Sequence, residues 1–101
     1  MIENLTQTKA LMESKDYKDR FIAEYWQTKI RYEKLKAFCN KIEASNYSMN
    51  VEEPKHDCVF GLLKEQQRVM GEYLHILEIR AVVENIELDY HEKTKGVNVN
   101  E

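Results

Sequence analysis

Residues 16–44 contain neither Gly nor Pro, and within them Phe21, Tyr25, Thr28, Tyr32, Leu35, Cys39 and Ile42 recur at alternating spacings of four and three. That is the period of one face of an α-helix. Tyr17 extends the row by one turn, and Asp16 stands where an N-cap is expected. At about 1.5 Å per residue such a helix is roughly 40 Å long. A helix of that length in a chain of 101 residues dominates whatever fold it joins.

The stretch SNYSMNVEEPKHD, residues 45–57, reads as a connection. It gathers Ser, Asn and the single Pro, and Pro54 disfavours a helical conformation at Glu53. A second helix is expected over 58–84, with Asp57 as its cap. Val59, Leu62, Leu63, Gln66, Met70, Tyr73, Leu74, Leu77 and Ala81 share one broad face, and Val69, Ile76 and Val83 recur every seven residues along its edge. Asn85 suits a left-handed position just past the helix end, with Ile86 folding back onto the last turn. Residues 1–15 form an N-terminal arm with weak helical periodicity, and residues 89–101 form a polar tail expected to be flexible. The domain is therefore residues 16–88. Two long helices joined by a moderate loop pack most simply as an antiparallel hairpin. The predicted fold is all-α: two long amphipathic helices with a short N-terminal helical arm.

The charges agree. Residues 17–43 carry seven Lys/Arg against four Asp/Glu, and residues 57–88 carry three against six. The two segments are thus net +3 and −3, opposite in sign. Each exposed pair contributes only about 0–1 kcal/mol, so the asymmetry selects an arrangement more than it stabilises one. The whole chain is net −3, which argues against general binding of duplex nucleic acid. No apolar run approaches the roughly 20 residues a membrane span needs, and the first ten residues lack a basic-then-apolar signal pattern. A cytoplasmic location, with Cys39 and Cys58 as reduced thiols, is the expectation.

The first helix has a second apolar strip. Ile22, Trp26, Ile30 and Ala37 lie roughly 100–180° around the wheel from Phe21. One partner helix cannot cover both sides, and each large side chain left in water forgoes about 1.5–3 kcal/mol. Self-association through this strip is the simplest cover, which makes a homo-oligomer the expected state. Val69, Ile76 and Val83 join Ile22, Trp26, Ile30 and Ala37 as the expected interface. Coverage by the N-terminal arm, or by a ligand or foreign protein, are the alternatives.

The edge of that strip offers the most suggestive chemistry. Lys18, Ile22, Trp26, Lys29 and Lys36 are neighbours on the wheel, with Tyr17 and Arg20 toward its start. A cation beside a stackable ring can hold an anionic ligand such as a nucleotide. Tyr17, Arg20, Trp26 and Lys29 are the candidate binding residues. The same pattern also describes an oligomer rim, where Lys stems cover apolar surface. Cys39, His56 and Cys58 flank the connection but lack the close pairs of a structural zinc site, and packed cysteines are the plainer reading. His75 reads as a partly exposed or interface histidine. Glu65, Glu72, Glu78 and Glu84 read as a solvated face, or as an imitation of phosphates for a basic protein. No Gly-rich phosphate loop or metal signature is present, so no catalytic residue, metal or cofactor is expected.

The stretches DYKDRFIAEYWQTKIRYEKLKAF and LLKEQQRVMGEYLHILEIRAVVENIEL resemble small accessory proteins of phages and prophages of low-GC Gram-positive and gut bacteria. The shared positions are mostly those of the hydrophobic faces, so the resemblance implies the hairpin above all. In architecture the hairpin is similar to phage anti-CBASS and anti-Thoeris sponge proteins. That likeness implies a phage anti-defence protein holding a cyclic oligonucleotide or ADP-ribose-type immune signal between subunits, without catalysis. No site residue carries over from it. An inhibitor that binds a host defence protein, as an anti-CRISPR does, and a structural helical oligomer are the other readings.

Overall fold

The computed structural model describes residues 2–89. It is all-helical over them, and its two long helices form the antiparallel hairpin. A 3-10 turn, Leu5–Thr8, runs into the short helix α1, Lys9–Met12; α2 spans Tyr17–Ser45 and α3 spans Phe60–Glu84. The tail expected at 89–101 lies, from Tyr90 onward, outside the described residues.

The ends of α2 and α3 follow local chemistry. Asp16 is extended and its carboxylate accepts from the Lys18 amide, satisfying one of the helix's free N–H groups. The expected cap at Asp57 is corrected: α3 begins behind Val59, with no side-chain cap. The C-terminus of α3 closes as the sequence suggests. Asn85 takes φ 58° and ψ 49°, and the Ile86 amide donates to the Ala81 carbonyl at 2.8 Å. Ile86 is buried on the core behind it. A β-branched residue resists a positive φ by about 1–2 kcal/mol. Asn85→Val should therefore lower the denaturation midpoint, while Asn85→Gly should leave it equal or higher, as read by urea melts.

Phe21, Tyr25, Cys39 and Ile42 of α2 are buried, as are Leu74, Leu77 and Ala81 of α3. The packed face of α3 is narrower than its pattern suggests. Leu62 and Tyr73 were expected on it, yet they are 59% and 38% exposed, and Val59 is 70% exposed. Leu62 and Tyr73 sit one position around the helix from Leu63 and Leu74, Val59 is the N-cap before the first turn, and α2 is too slim to cover the whole apolar arc.

The second strip of α2 is covered within the chain. Ile22 and Trp26 are buried, and Ile2, Leu11 and Ile86 join them in one core cluster, with Ile30 and Leu88 packed against it. The expectation that this strip stands open for another copy is thereby corrected. Two short segments share the task. The arm is shaped by a capping box in which Asn4 accepts from the Gln7 amide, and Gln7 accepts from the amides of Glu3 and Asn4. Fully buried Thr8 accepts from the Gln27 side chain at 3.0 Å, and Arg20 ties the end of the arm through the Ser14 carbonyl at 2.8 Å. On the other flank the Trp26 indole donates to the Leu88 carbonyl at 2.6 Å. Ala37, farther along the strip, remains exposed.

Candidate functional site

The four residues singled out for a ligand do not converge. Trp26 is in the core, edge-on to Tyr25 at 5.2 Å between ring centroids. Lys29 is half-buried and pairs with Glu33 at 3.4 Å. Lys18 reaches the Asn85 carbonyl at 3.4 Å, and Lys36 lies 5.9 Å from the Tyr32 ring centroid. With Trp26 covered, the site expected around it loses its indole. Tyr17 and Arg20 remain at the surface.

Tyr17 has a neighbour that the periodicity of α2 could not reveal. Arg80 of α3 donates to the Tyr17 hydroxyl, and its guanidinium lies 5.1 Å from the centroid of the Phe21 ring. Tyr17 and Phe21 are edge-to-face at 6.1 Å, and Glu84 pairs with Arg80 at 2.9 Å. The first two turns of α2 and the last turns of α3 thus set a cation against the Phe21 ring and the hydroxyl of Tyr17, whose ring is half exposed. A guanidinium in such a setting can meet a phosphate oxygen while the ring stacks on a base. Its charge is partly engaged by Glu84, so an anionic ligand would compete with that carboxylate. The only sequence signal for Arg80 was its place on the edge of α3, seven residues from Tyr73. Pairing it with Tyr17 requires knowing the register of the hairpin.

Polar contacts elsewhere are largely structural. The Tyr25 hydroxyl donates to Glu78 at 2.8 Å, and burial first, then that bond, pushes its ionisation well above the usual tyrosine range. Tyr73 donates to Glu24 across the hairpin. Glu65 and Glu72 flank Arg68 on the surface of α3, so the acidic face is laced with its own cation. His75 is exposed.

Among the described residues no group of three or more His, Cys, Asp or Glu is placed to hold a metal ion. Burial of Cys39 raises its thiol pKa and keeps it unreactive. His56 has a different task. Its Nδ1 lies 2.7 Å from the Cys58 carbonyl and its Nε2 lies 2.8 Å from Glu53. Both neighbours are acceptors, so the ring satisfies both only when doubly protonated. The Glu53 bond first, then the Cys58 carbonyl, hold its pKa above the ordinary histidine value. The ring also stands edge-on to Phe38 of α2, at 6.1 Å, and so pins the connection to the hairpin. A raised folded pKa means that the latch contributes fully below the unfolded value, about 6.5, and fades as pH rises through the folded value. Wild type should lose stability as pH rises above about 6.5, and His56→Gln should flatten that slope in urea melts at a series of pH values.

Two shallow surface grooves are formed by described residues. One, of about 430 Å³, is lined by Lys41, the connection from Asn50 to Pro54, and Lys55. The other, of about 370 Å³, lies along the start of α3 between Gly61 and Arg68. Both have mixed charge and neither includes the Tyr17–Arg80 pair. No helix among the described residues is long and apolar enough to cross a membrane.

No curated protein and no solved structure is significantly similar to this chain. The model of one family, Sequestin, matches residues 15–83. That span runs from the residue before the Asp16 cap to the last turn of α3, so it takes in all but the last residue of the two long helices and both halves of the Tyr17–Arg80 pair. The match covers more than half of the sequence, and the chain belongs to the Sequestin family.

Proposed function

We propose that the chain is a phage-encoded anti-defence protein that sequesters a nucleotide immune signal, a cyclic oligonucleotide or an ADP-ribose derivative, without turning it over. The observation that carries this reading is the Sequestin match over the hairpin, whose name describes a sequestering protein. The likeness to phage accessory proteins and to sponge architectures supports the setting. The Tyr17, Phe21 and Arg80 cluster supports an anionic ligand with a stackable ring. In this reading the ligand sits in a pocket completed by another copy, because Tyr17 and Arg80 are exposed at the surface of the single chain. Such a protein acts in the bacterial cytoplasm, where the signal is made.

A ligand that binds only the folded state raises its melting temperature, and more so as its free concentration exceeds its Kd. Thermal shift against cyclic di- and trinucleotides and ADP-ribose derivatives should therefore find at least one that stabilises the protein. Tyr17→Ala combined with Arg80→Ala should abolish that shift while preserving the helical circular dichroism. No shift with any of the panel would remove the nucleotide reading.

A second reading, inhibition of a host defence protein by direct binding, is favoured by one observation: the outer face of α3 exposes Leu62, Val69, Ile76 and Val83. A pull-down from host lysate that recovers only the protein itself would count against it.

A further inference from the structure

The hairpin and its two covering segments bury one side of α3 and leave another apolar side in water. Leu62, Val69, Ile76 and Val83 are 59%, 48%, 53% and 78% exposed, and they follow one another at seven-residue spacing over about 32 Å of helix. A strict seven-residue repeat keeps such a row facing a partner helix along its whole length. The face continues onto α2. Tyr73 and Arg80, beside the row, reach Glu24 and Tyr17, and Tyr17, Glu24 and Arg31 are themselves exposed at seven-residue spacing. Both helices therefore present aligned seams on one side of the hairpin. The arm and residues 86–88 are engaged at Trp26 and Gln27, so neither is the cover for this face.

We infer that this face pairs with a second copy of the chain. Charge selects that occupant. Helix α2 carries seven Lys/Arg against four Asp/Glu, net +3, and α3 carries three against four, net −1, so the two are opposite in sign. A two-fold axis along the helices sets α3 of each copy against α2 of the other, running antiparallel. Every helix of the resulting four-helix bundle then has neighbours of opposite charge and opposite direction. The row of Leu, Val, Ile and Val leaves water at the centre, with the Arg68 ion-pair cluster at the rim. The pairing stands whether or not a nucleotide is the ligand, and it would supply the second wall that a site at Tyr17 and Arg80 lacks in one chain.

Sedimentation equilibrium of the full chain over micromolar concentrations tests this. Wild type should have the mass of two chains. Val69→Glu with Ile76→Glu should reduce it to one at unchanged helical circular dichroism, because both positions are exposed in the single chain. Val82→Glu, on another side of α3 and 82% exposed, should leave the dimer intact. A wild type with the mass of one chain, or a mass that the double substitution does not lower, overturns the inference. So does equal disruption by Val82→Glu.

Discussion

Trp26→Ala should destabilise the protein by about 3–5 kcal/mol, the range for truncating a buried aromatic, and so bring a small domain of typical stability, about 5–15 kcal/mol, close to unfolding at 37 °C. The size follows from what the ring does. It is 9% exposed, packs edge-on against Tyr25, and holds the segment that follows α3 through the Leu88 carbonyl. Trp26→Phe separates the two contributions. It keeps most of the burial and loses the hydrogen bond, which is worth about 1 kcal/mol net. Urea denaturation followed by circular dichroism reads both. If Trp26 were an open interface residue instead, Trp26→Ala would cost little stability and would lower the oligomer mass.

Leu77→Ala should cost about 2–5 kcal/mol, whereas Ile76→Ala, at the next residue, should leave the stability of a single chain within about 0.5 kcal/mol. Leu77 is 3% exposed and Ile76 is 53% exposed. Both are large aliphatic residues in the middle of α3, so the difference isolates the face. Melts should be run at concentrations low enough to hold the chain as a monomer, because any loss at Ile76 that grows with concentration reports association rather than folding. Equal losses at the two positions would contradict the orientation of α3.

The contrast between these pairs shows what the sequence makes legible. Local chemistry reads well: the Asp16 cap, the left-handed Asn85 and the return of Ile86 each depend on residues within one or two turns. The row from Phe21 to Ile42 identifies the first long helix because a four-three repeat is the period of a helical face. The cover over Trp26 is a different matter. Leu88 is 62 residues away from it and Ile2 is 24 residues before it. A wheel shows that a face is apolar without showing what comes to cover it. The apolar arc of α3 is wide for the same reason: part serves α2 and part does not, and only the register decides that Leu77 is inside and Ile76 outside. The candidate site moved accordingly. Tyr17 stayed at the surface, Trp26 left it, and Arg80 entered from the opposite helix.

The central claim is that the chain holds a nucleotide signal and returns it unchanged. Isothermal titration with the ligand that gives the thermal shift, followed by heat release and mass spectrometry of the freed molecule, tests it directly. Saturation at a fixed ratio of ligand to chain, with the ligand recovered intact after hours of incubation, is the predicted result. Recovery of a hydrolysed or otherwise altered molecule, or no saturable binding, would contradict it.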